Sequence, residues 1–153
     1  MIKQPRVVAI GECGLDYYYD HSDRAVQREI FAAQIALANE HKLPLVIHTR
    51  EAWDETFEIL NSCGVPERTI FHCFTGTLEQ AKQAISYDMK LGIGGVVTFK
   101  NGGVDKFINQ VELKHIVLET DSPYLSPTPY RGKRNESGYI INVLQKLAEL
   151  YNI

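Results

Sequence analysis

Short apolar runs of strand length alternate along the chain with longer segments of helical spacing. The strand-like runs are VVAIG (7–11), PLVIH (44–48), TIFHCF (69–74), KLGIGGVVTF (90–99) and HIVLETD (115–121). In the segment between the first two runs, Val26, Ile30, Ala33 and Leu37 recur at helical spacing. Apolar runs separated by helices are typical of parallel strands that are buried on both faces and joined by crossover helices. The pattern therefore predicts an α/β fold.

Start and stop signals predict the remaining helices. EAWDETFEILNSCG (51–64) ends at Gly64, and the next helix opens at Thr77 with Gln80 as a capping-box partner. VDKFINQV (104–111) predicts a short helix. A final helix over 139–151 places Ile140, Leu144, Leu147 and Tyr151 on one face. Without an internal linker or repeat, residues 1–153 are predicted to form a single domain.

Four of the strand-like runs reach a charged or imidazole side chain. These residues are Glu12, His48, His72 and Asp121. Because the carboxyl ends of parallel strands meet at one rim, we expect the four side chains to gather there. Two imidazoles and two carboxylates form a ligand set for a divalent cation such as Zn²⁺, Mn²⁺ or Mg²⁺. With its two oxygens, Glu12 is suited to bridge two ions.

Each of these residues also has an ordinary structural interpretation. A single histidine at the end of a strand is more often a hydrogen-bonded polar residue than a metal ligand. Glu12 could cap the following turn, and Asp121 could begin a turn through an Asx contact. Four such coincidences at one end of four strands are harder to accept, so the metal site is the favoured hypothesis.

Composition and charge narrow the class of protein. The chain has 153 residues, of which 44% are hydrophobic and 23% charged, and its apolar runs are too short to span a membrane. The three cysteines, Cys13, Cys63 and Cys73, cannot all pair, which favours a reduced, cytoplasmic setting. Cys13 and Cys73 follow proposed ligands and are expected to face the core. A net charge of −3 means that any affinity for nucleic acid must come from a local patch.

In several stretches the sequence resembles the TatD-related metal-dependent deoxyribonucleases. The matching motifs are VVAIGECGLDYYYD, LPLVIHTREAWDE, TIFHCFTGT, GIGGVVTFKN and IVLETDSPYLSPTPYRGKRNES. They occur in the family's order and cover essentially the whole chain. The resemblance implies a (β/α)₈ TIM barrel, here an incomplete barrel of about five parallel strands, and hydrolysis of phosphodiester bonds in DNA.

By position, the resemblance also implies roles for the four proposed ligands. Glu12 would bridge two divalent ions, His48 and His72 would bind one of them, and Asp121 would bind the other. A bound metal lowers the pKa of water towards about 7, and two ions stabilise both the attacking and the leaving oxygen. Asp121, beside that water, could also accept its proton, so Glu12 and Asp121 are the predicted catalytic residues.

Basic residues near these motifs are candidates for contact with DNA. Arg131, Lys133 and Arg134 lie in one loop after the Asp121 strand, and Arg50 lies two positions beyond His48. These side chains could hold phosphate oxygens. The loop residues could equally be solvated, with Glu136 as a partner, and Arg50 could orient a carboxylate instead.

Two neighbouring groups have roles that are less specific. The side chains of Tyr17, Tyr18 and Tyr19 could stack on bases or pack around a loop. Asp16 is a candidate acceptor that orients a ligating histidine.

One family feature is missing from the sequence. Family members begin with an H-x-H pair on the first barrel strand, and this chain has no H-x-H; neither His21, His41 nor His115 is suitably placed to replace it. The chain is therefore expected to lack the first two strand–helix units and the last strand, and one of the two metal positions would be impaired.

The missing units have consequences for association and function. Uncovered sheet edges favour self-association or binding of a complementing chain. Two alternatives to a deoxyribonuclease stay open: a catalytically impaired fragment, and an amidohydrolase-like enzyme acting on a small ester or amide.

Overall fold

A computed structural model describes residues 2, 4–19 and 21–153. The chain divides into two compact units. The first unit comprises the residues up to His72 together with Tyr87–Met89, and the second comprises Cys73–Ser86 and Lys90–Ile153. The single domain over residues 1–153 stays a prediction.

The first unit is built from parallel strands with helices between them. Its elements are β1 (Ile10–Asp16), α1 (Arg24–His41), β2 (Leu45–Arg50), α2 (Trp53–Cys63) and β3 (Ile70–Phe71). The strands pair in chain order, and both pairings are parallel. Asp23 caps α1, since its carboxylate accepts hydrogen bonds from the amides of Ala25 and Val26.

The second unit repeats this arrangement with shorter strands. Its elements are α3 (Leu78–Ser86), β4 (Lys90–Ile93), β5 (Ile116–Leu118) and α4 (Ile140–Tyr151), with short 3₁₀ turns in the connections. β4 and β5 pair in parallel. The predicted α/β class with five parallel strands is therefore confirmed.

Apolar side chains between strands and helices form the core of the first unit. Leu15, Ile47 and Phe71 from the strands are fully buried, as are Phe31 and Leu60 from the helices. Complete burial of a side chain of this size contributes about 1.5–3 kcal/mol. On β2, buried residues alternate with half-buried ones. The prediction that the strands are buried on both faces is thus wrong for β2, whose second face carries His48.

Several predicted boundaries differ from the structure. The first strand runs over Ile10–Asp16 rather than 7–11, and β4 ends at Ile93 rather than at residue 99. Gly94 is followed by a 3₁₀ turn over Gly95–Thr98. A Cβ at Gly95 would lie 2.0 Å from the carbonyl oxygen of Leu125, so close backbone approach, rather than an extended strand, explains the glycines here.

Helix α1 buries a different face from the one that its spacing indicated. Phe31, Ile35 and Ala38 are buried, whereas Val26 and Ile30 are each 52% exposed. The residues that recur at helical spacing are therefore not the residues that α1 buries. On α4, similarly, Val143 and Leu147 are buried but Leu144 is exposed. Both helices have apolar residues on two adjacent faces, and periodicity could not decide between them.

None of the helices within the described residues has both the length and the apolar character needed to cross a membrane.

Candidate metal and catalytic site

A bulge in β1 determines where the Glu12 side chain lies. Ile10 pairs with Leu45 and Cys13 pairs with Ile47, so β1 carries one residue more than β2 over this interval. Glu12 falls inside the interval and is exposed. The prediction that Glu12 lies at the end of a strand is therefore wrong, because β1 continues to Asp16. Bulges of this kind redirect side chains and are common beside active sites.

Gly14 brings β1 very close to β2 at His48. Its φ is +146°, and a Cβ at this position would lie 1.9 Å from the carbonyl oxygen of His48. Glycine is thus required by both the backbone conformation and the available space. The close approach holds Glu12 and His48 on adjacent backbone segments.

The imidazole of His48 lies between two carboxylates. Its Nδ1 is 2.9 Å from Glu12 Oε1, and its Nε2 is 3.0 Å from Asp16 Oδ2. A neutral imidazole carries only one N–H. If Nε2 donates that proton to Asp16, the Nδ1 lone pair faces a carboxylate oxygen, and this pair of acceptors needs a proton or a cation between them.

Asp16 is held firmly in the orientation that serves His48. Its Oδ1 accepts hydrogen bonds from the backbone amides of Tyr18 and Tyr19 at 3.0 and 3.3 Å. Partial burial raises the pKa of Asp16, but the hydrogen bonds with His48 and the two amides outweigh it and lower the pKa below its ordinary value. The predicted contact between Asp16 and a candidate ligand is therefore present, with Asp16 as a carboxylate.

His72 lies directly after β3, next to the same carboxylate. Its backbone amide donates to the carbonyl oxygen of Ile47 at 2.8 Å, which continues the pairing of β3 with β2. Its Nε2 is 3.8 Å from Glu12 Oε1. The structure thus brings together Glu12, His48 and His72, three of the four predicted ligands, in the first unit.

These donors suit a divalent ion in chemistry, but their present arrangement does not surround one point. Carboxylate and imidazole ligands fit Zn²⁺ or Mn²⁺. Across residues 2, 4–19 and 21–153, however, no group of three or more His, Cys, Asp or Glu side chains is arranged to hold a metal ion.

Asp121, the fourth predicted ligand, lies in the second unit, three residues beyond the end of β5. Its backbone is left-handed with φ of 55°, and its carbonyl oxygen accepts from the Tyr124 amide at 2.8 Å. It is thus in a turn and not in the strand that was predicted to end there.

Asn135 fixes the loop that carries Asp121. Its side chain is 2% exposed, and its amide nitrogen donates to the carbonyl oxygens of Thr120 and Tyr124, each at 2.6 Å. Since these acceptors flank Asp121 on both sides, Asn135 restricts the position of the turn. Sequence reasoning did not single it out, although its place in the YRGKRNE motif was a signal.

Glu119 is a second residue that sequence reasoning did not single out. Its Oε1 accepts a hydrogen bond from the Cys73 amide at 2.5 Å. Cys73 itself has a φ of 45° and is half-buried, so the extended geometry assumed for it does not continue. Cys13 is buried as predicted, and Cys63 is exposed.

The three basic residues of the loop differ in their surroundings. Arg131 donates to the carbonyl oxygen of Ser126 at 3.0 Å, and its guanidinium lies 3.7 Å from the ring centre of Phe99. All three residues are exposed, but Lys133 and Arg134 have no such contact among the described residues. A cavity of about 350 Å³ is lined by Ser122, Pro123, Arg134, Asn135, Glu136 and Ser137. Arg134 is therefore better placed than Arg131 to meet a ligand.

Arg50 stacks on aromatic rings in the first unit. Its guanidinium carbon lies 3.8 Å from the ring centre of Tyr18 and 4.8 Å from that of Tyr19. Tyr19 also stacks on His21, with ring centres 5.4 Å apart. The planar group of Arg50 is thus held by cation–π contacts, and its role towards a phosphate stays a prediction.

Comparison with known proteins identifies the family. The family profile described as TatD related DNase matches residues 1–153. An uncharacterized metal-dependent hydrolase, YabD of Bacillus subtilis, is 44% identical over 147 residues, which are 95% of this chain and 58% of YabD. A second uncharacterized metal-dependent hydrolase, from Buchnera aphidicola, is 36% identical over 96% of this chain and 56% of its own length.

A solved structure supports the same assignment. The crystal structure of YjjV, a TatD homologue from Escherichia coli K12, matches with a TM-score of 0.88 and 30% identity, over 94% of this chain and 56% of YjjV. The chain thus spans somewhat more than half the length of these relatives, which agrees with the predicted incomplete barrel. With the profile matching throughout, the chain belongs to the TatD related DNase family.

Proposed function

We propose that this chain carries the catalytic region of a divalent-metal-dependent hydrolase that cleaves phosphodiester bonds in DNA. The observation that carries the proposal is the grouping of Glu12, His48 and His72. One carboxylate oxygen of Glu12 lies 2.9 Å from one imidazole nitrogen and 3.8 Å from another. The family's description as DNases, and the names of relatives as metal-dependent hydrolases, support the same chemistry.

Glu12, His48 and His72 would hold the ion, with Asp121 as the proposed further ligand. When bound, a divalent ion activates water and stabilises charge on phosphoryl oxygens. The chain's own contribution is positioning. Asp16 holds His48 through Nε2, so that Nδ1 is directed at Glu12. A carboxylate that fixes a ligating histidine in this way also raises its basicity as a ligand.

Recognition of a polyanionic substrate is assigned to Arg134 and Lys133, with Arg50 as a further contact. Arg134 borders the 350 Å³ cavity of the second unit, where its guanidinium can bind a phosphate in a bidentate manner. Arg131 is instead proposed to stabilise the loop through Ser126 and Phe99. This reduces the number of predicted phosphate contacts from that loop to two.

Metal binding and DNA cleavage by the 153-residue chain test the proposal directly. Calorimetry with Mn²⁺ measures metal binding, and hydrolysis of a labelled oligonucleotide in Mn²⁺ measures activity. His48→Ala removes a ligand and is expected to lower both by roughly a hundredfold or more, since even indirect supports of a metal ligand are worth about 10- to 100-fold.

His41→Ala is the matched control, because His41 is the last residue of α1 and contacts Glu40 rather than the candidate site. It is expected to change either quantity by about twofold at most, because it removes no candidate metal ligand. Equal losses in the two variants, or cleavage that persists in excess chelator, would contradict the proposal.

A catalytically impaired fragment is the second candidate. It is favoured by the absence, among the described residues, of a three-donor group arranged for metal. This candidate predicts Mn²⁺ binding without cleavage of DNA. A small-ester or amide hydrolase predicts instead that p-nitrophenyl acetate is cleaved and DNA is not.

A further inference from the structure

A cavity of about 540 Å³ lies beside the candidate metal site in the first unit. Glu12, Asp16 and His48 line it, together with the exposed side chains of Tyr19 and His21. Its volume falls within the range of about 300–1,000 Å³ that is usual for sites of small ligands. A group bound against Tyr19 or His21 in this cavity would therefore lie next to the residues proposed to hold the metal ion.

The rings of Tyr19 and His21 form a flat stack. Their planes differ by only 2°, and their centres are 5.4 Å apart. Tyr19 is 55% exposed, and His21 is also exposed. The ring of Tyr18 meets that of Tyr19 edge-on, with the two centres 4.8 Å apart. Because the two stacked planes are parallel, a third planar ring can extend the stack in the same orientation.

Two charged groups hold these tyrosines in place. The guanidinium of Arg50 lies 3.8 Å from the ring centre of Tyr18 and 4.8 Å from that of Tyr19. Asp16 fixes the backbone, since its Oδ1 accepts hydrogen bonds from both tyrosine amides while its Oδ2 contacts His48 at 3.0 Å. One carboxylate thus sets the position of the aromatic rings and of a candidate metal ligand. Such preorganisation reduces the ordering cost when a flat ligand binds.

The neighbouring Tyr17 shows what a purely structural role looks like in this segment. Tyr17 is 7% exposed, and the guanidinium of Arg24 lies 4.4 Å from the centre of its ring. Tyr18 and Tyr19, in contrast, are 53% and 55% exposed. Packing around the loop therefore accounts for Tyr17, but it leaves large exposed ring surfaces at the other two tyrosines.

The chemistry of the proposed substrate supplies a planar group for this surface. In a nucleic-acid strand the planar groups are the bases, and each is joined to its phosphodiester through one sugar. Stacking on an aromatic side chain accepts every base, because each base has a π face. Exposed rings fixed beside a centre proposed to cleave phosphodiesters are thus placed to bind a base close to the bond that is cleaved.

We propose that Tyr19 and His21 form a stacking surface for a nucleobase of the substrate strand, which positions the strand against the candidate metal site. Tyr18 and Arg50 hold Tyr19 in place. The proposal rests on the proposed function, because the stacked base belongs to the strand whose phosphodiester is cleaved. Tyr19 and His21 bind the substrate and take no part in breaking the bond.

Oligothymidylate and a chain of abasic sugar-phosphate units of the same length test the proposal, because the two carry the same charge but only the first has bases. Fluorescence anisotropy in excess chelator measures affinity without cleavage. The wild-type chain is expected to bind oligothymidylate at least about fivefold more tightly, the lower value for stacking of one base. Tyr19→Leu, which removes the ring but keeps an apolar side chain, should bring this ratio below about twofold. His21→Leu should also lower the ratio, whereas Tyr19→Phe should retain it.

Val26→Ala is the matched control, since Val26 lines the same cavity and is 52% exposed but has no ring. It should leave the ratio within about twofold of the wild-type value. Circular dichroism establishes that each variant is folded. Equal affinity of the wild-type chain for the two oligomers, absence of binding of either, or an equal loss for both oligomers in Tyr19→Leu would overturn the proposal.

Calorimetry with Mn²⁺ separates this proposal from the proposed function. Tyr19→Leu should bind Mn²⁺ within about twofold of the wild-type chain, because it removes no candidate ligand. A large loss of Mn²⁺ binding would show that Tyr19 supports the metal site instead of a base, and would overturn the proposal. Binding that depends on the bases and on Tyr19, found without metal-dependent cleavage, would support the stacking surface and contradict the proposed function alone.

Discussion

Gly14 sets the distance between the two backbone segments that carry Glu12 and His48. We expect Gly14→Ala to lower the free energy of unfolding by about 3 kcal/mol or more, because overpacking and unfavourable φ each cost about 1–3 kcal/mol. The added Cβ would meet the His48 carbonyl oxygen at 1.9 Å. Urea denaturation followed by circular dichroism measures the change.

Gly138→Ala is the control for this substitution, since no atom lies within 4 Å of a Cβ built there. We expect it to change the free energy of unfolding by less than about 1 kcal/mol. If Gly14→Ala is as well tolerated as Gly138→Ala, the close approach of β1 to β2 is not a constraint on the site.

Cys13 and Cys63 should differ strongly in reactivity. Burial, and to a lesser extent the neighbouring Glu12 carboxylate, raise the pKa of the Cys13 thiol from 9.0 to about 12. At pH 8 Cys13 therefore stays protonated and unreactive, while the exposed Cys63 is labelled by iodoacetamide. Peptide mass spectrometry after timed labelling measures both rates.

The raised pKa also has a consequence for stability. The contribution of neutral Cys13 is fully present below pH 9, the ordinary pKa of the thiol, and is lost as pH rises towards about 12. Labelling of Cys13 as rapid as that of Cys63 at pH 8 would show that the thiol is accessible and its pKa ordinary.

Individual site residues were predictable where sequence order and spatial order coincide. Glu12, His48 and His72 each lie on or next to a strand of the first unit, and strand pairing alone brings them together. The YRGKRNE motif drew attention to the segment that contains Asn135, but the contacts of Asn135 could not be predicted, because they join it to Thr120 and Tyr124 across a loop. No periodicity in the sequence encodes such a loop geometry.

At the level of elements, Tyr151 ties the end of α4 to the turns before β5. Its single hydroxyl hydrogen is shared between the carbonyl oxygen of Ile108 and that of Val111, the latter at 2.5 Å. Tyr151→Phe leaves these carbonyls without that donor and is expected to lower the free energy of unfolding by about 1–3 kcal/mol. Urea denaturation at pH 7 measures this loss, with Tyr124→Phe, at a 71% exposed position, as the control.

The effect of Tyr151→Phe should depend on pH in a defined direction. Burial raises the pKa of Tyr151 from 10.0 to about 12. The stabilisation by the neutral hydroxyl is therefore present below pH 10 and lost as pH rises towards 12, so the stabilities of the two proteins should converge there. A difference that stays constant to pH 12 would exclude this origin.

Existence and type of the main helices and strands were predictable, but their ends and faces were not. α1 has apolar residues on two adjacent faces, and only the packing of Phe31 and Ile35 in the first unit decides which is buried. β1 extends to Asp16 because the bulge allows pairing with β2 to continue beyond Glu12. Both outcomes depend on tertiary contacts, which the pattern of apolar and polar residues along the sequence does not contain.

For the whole molecule, a net charge of −3 means that the proposed affinity for DNA would have to come from a local group of basic residues. We expect Arg134→Ser to weaken binding of a single-stranded oligonucleotide and to reduce the slope of log K against log salt by about 0.7, the value for one phosphate contact. Fluorescence anisotropy at a series of salt concentrations from about 50 to about 300 mM measures the slope.

Lys82→Ser makes the same change in net charge at an exposed position on α3. It should alter the affinity only slightly and leave the slope unchanged. Should both substitutions reduce the slope equally, the contribution of Arg134 would be a general charge effect rather than a phosphate contact.

The fold class was predictable from the alternation of apolar runs and helices, and the family from the motifs that the runs contain. What the pattern could not supply is the extra residue in β1. Loss of the single codon for Gly11 would remove the bulge, and the Glu12 carboxylate would no longer be held in its present position beside His48 and His72. In descendants of this gene, length changes in that short interval should accordingly be far less tolerated than substitutions around it.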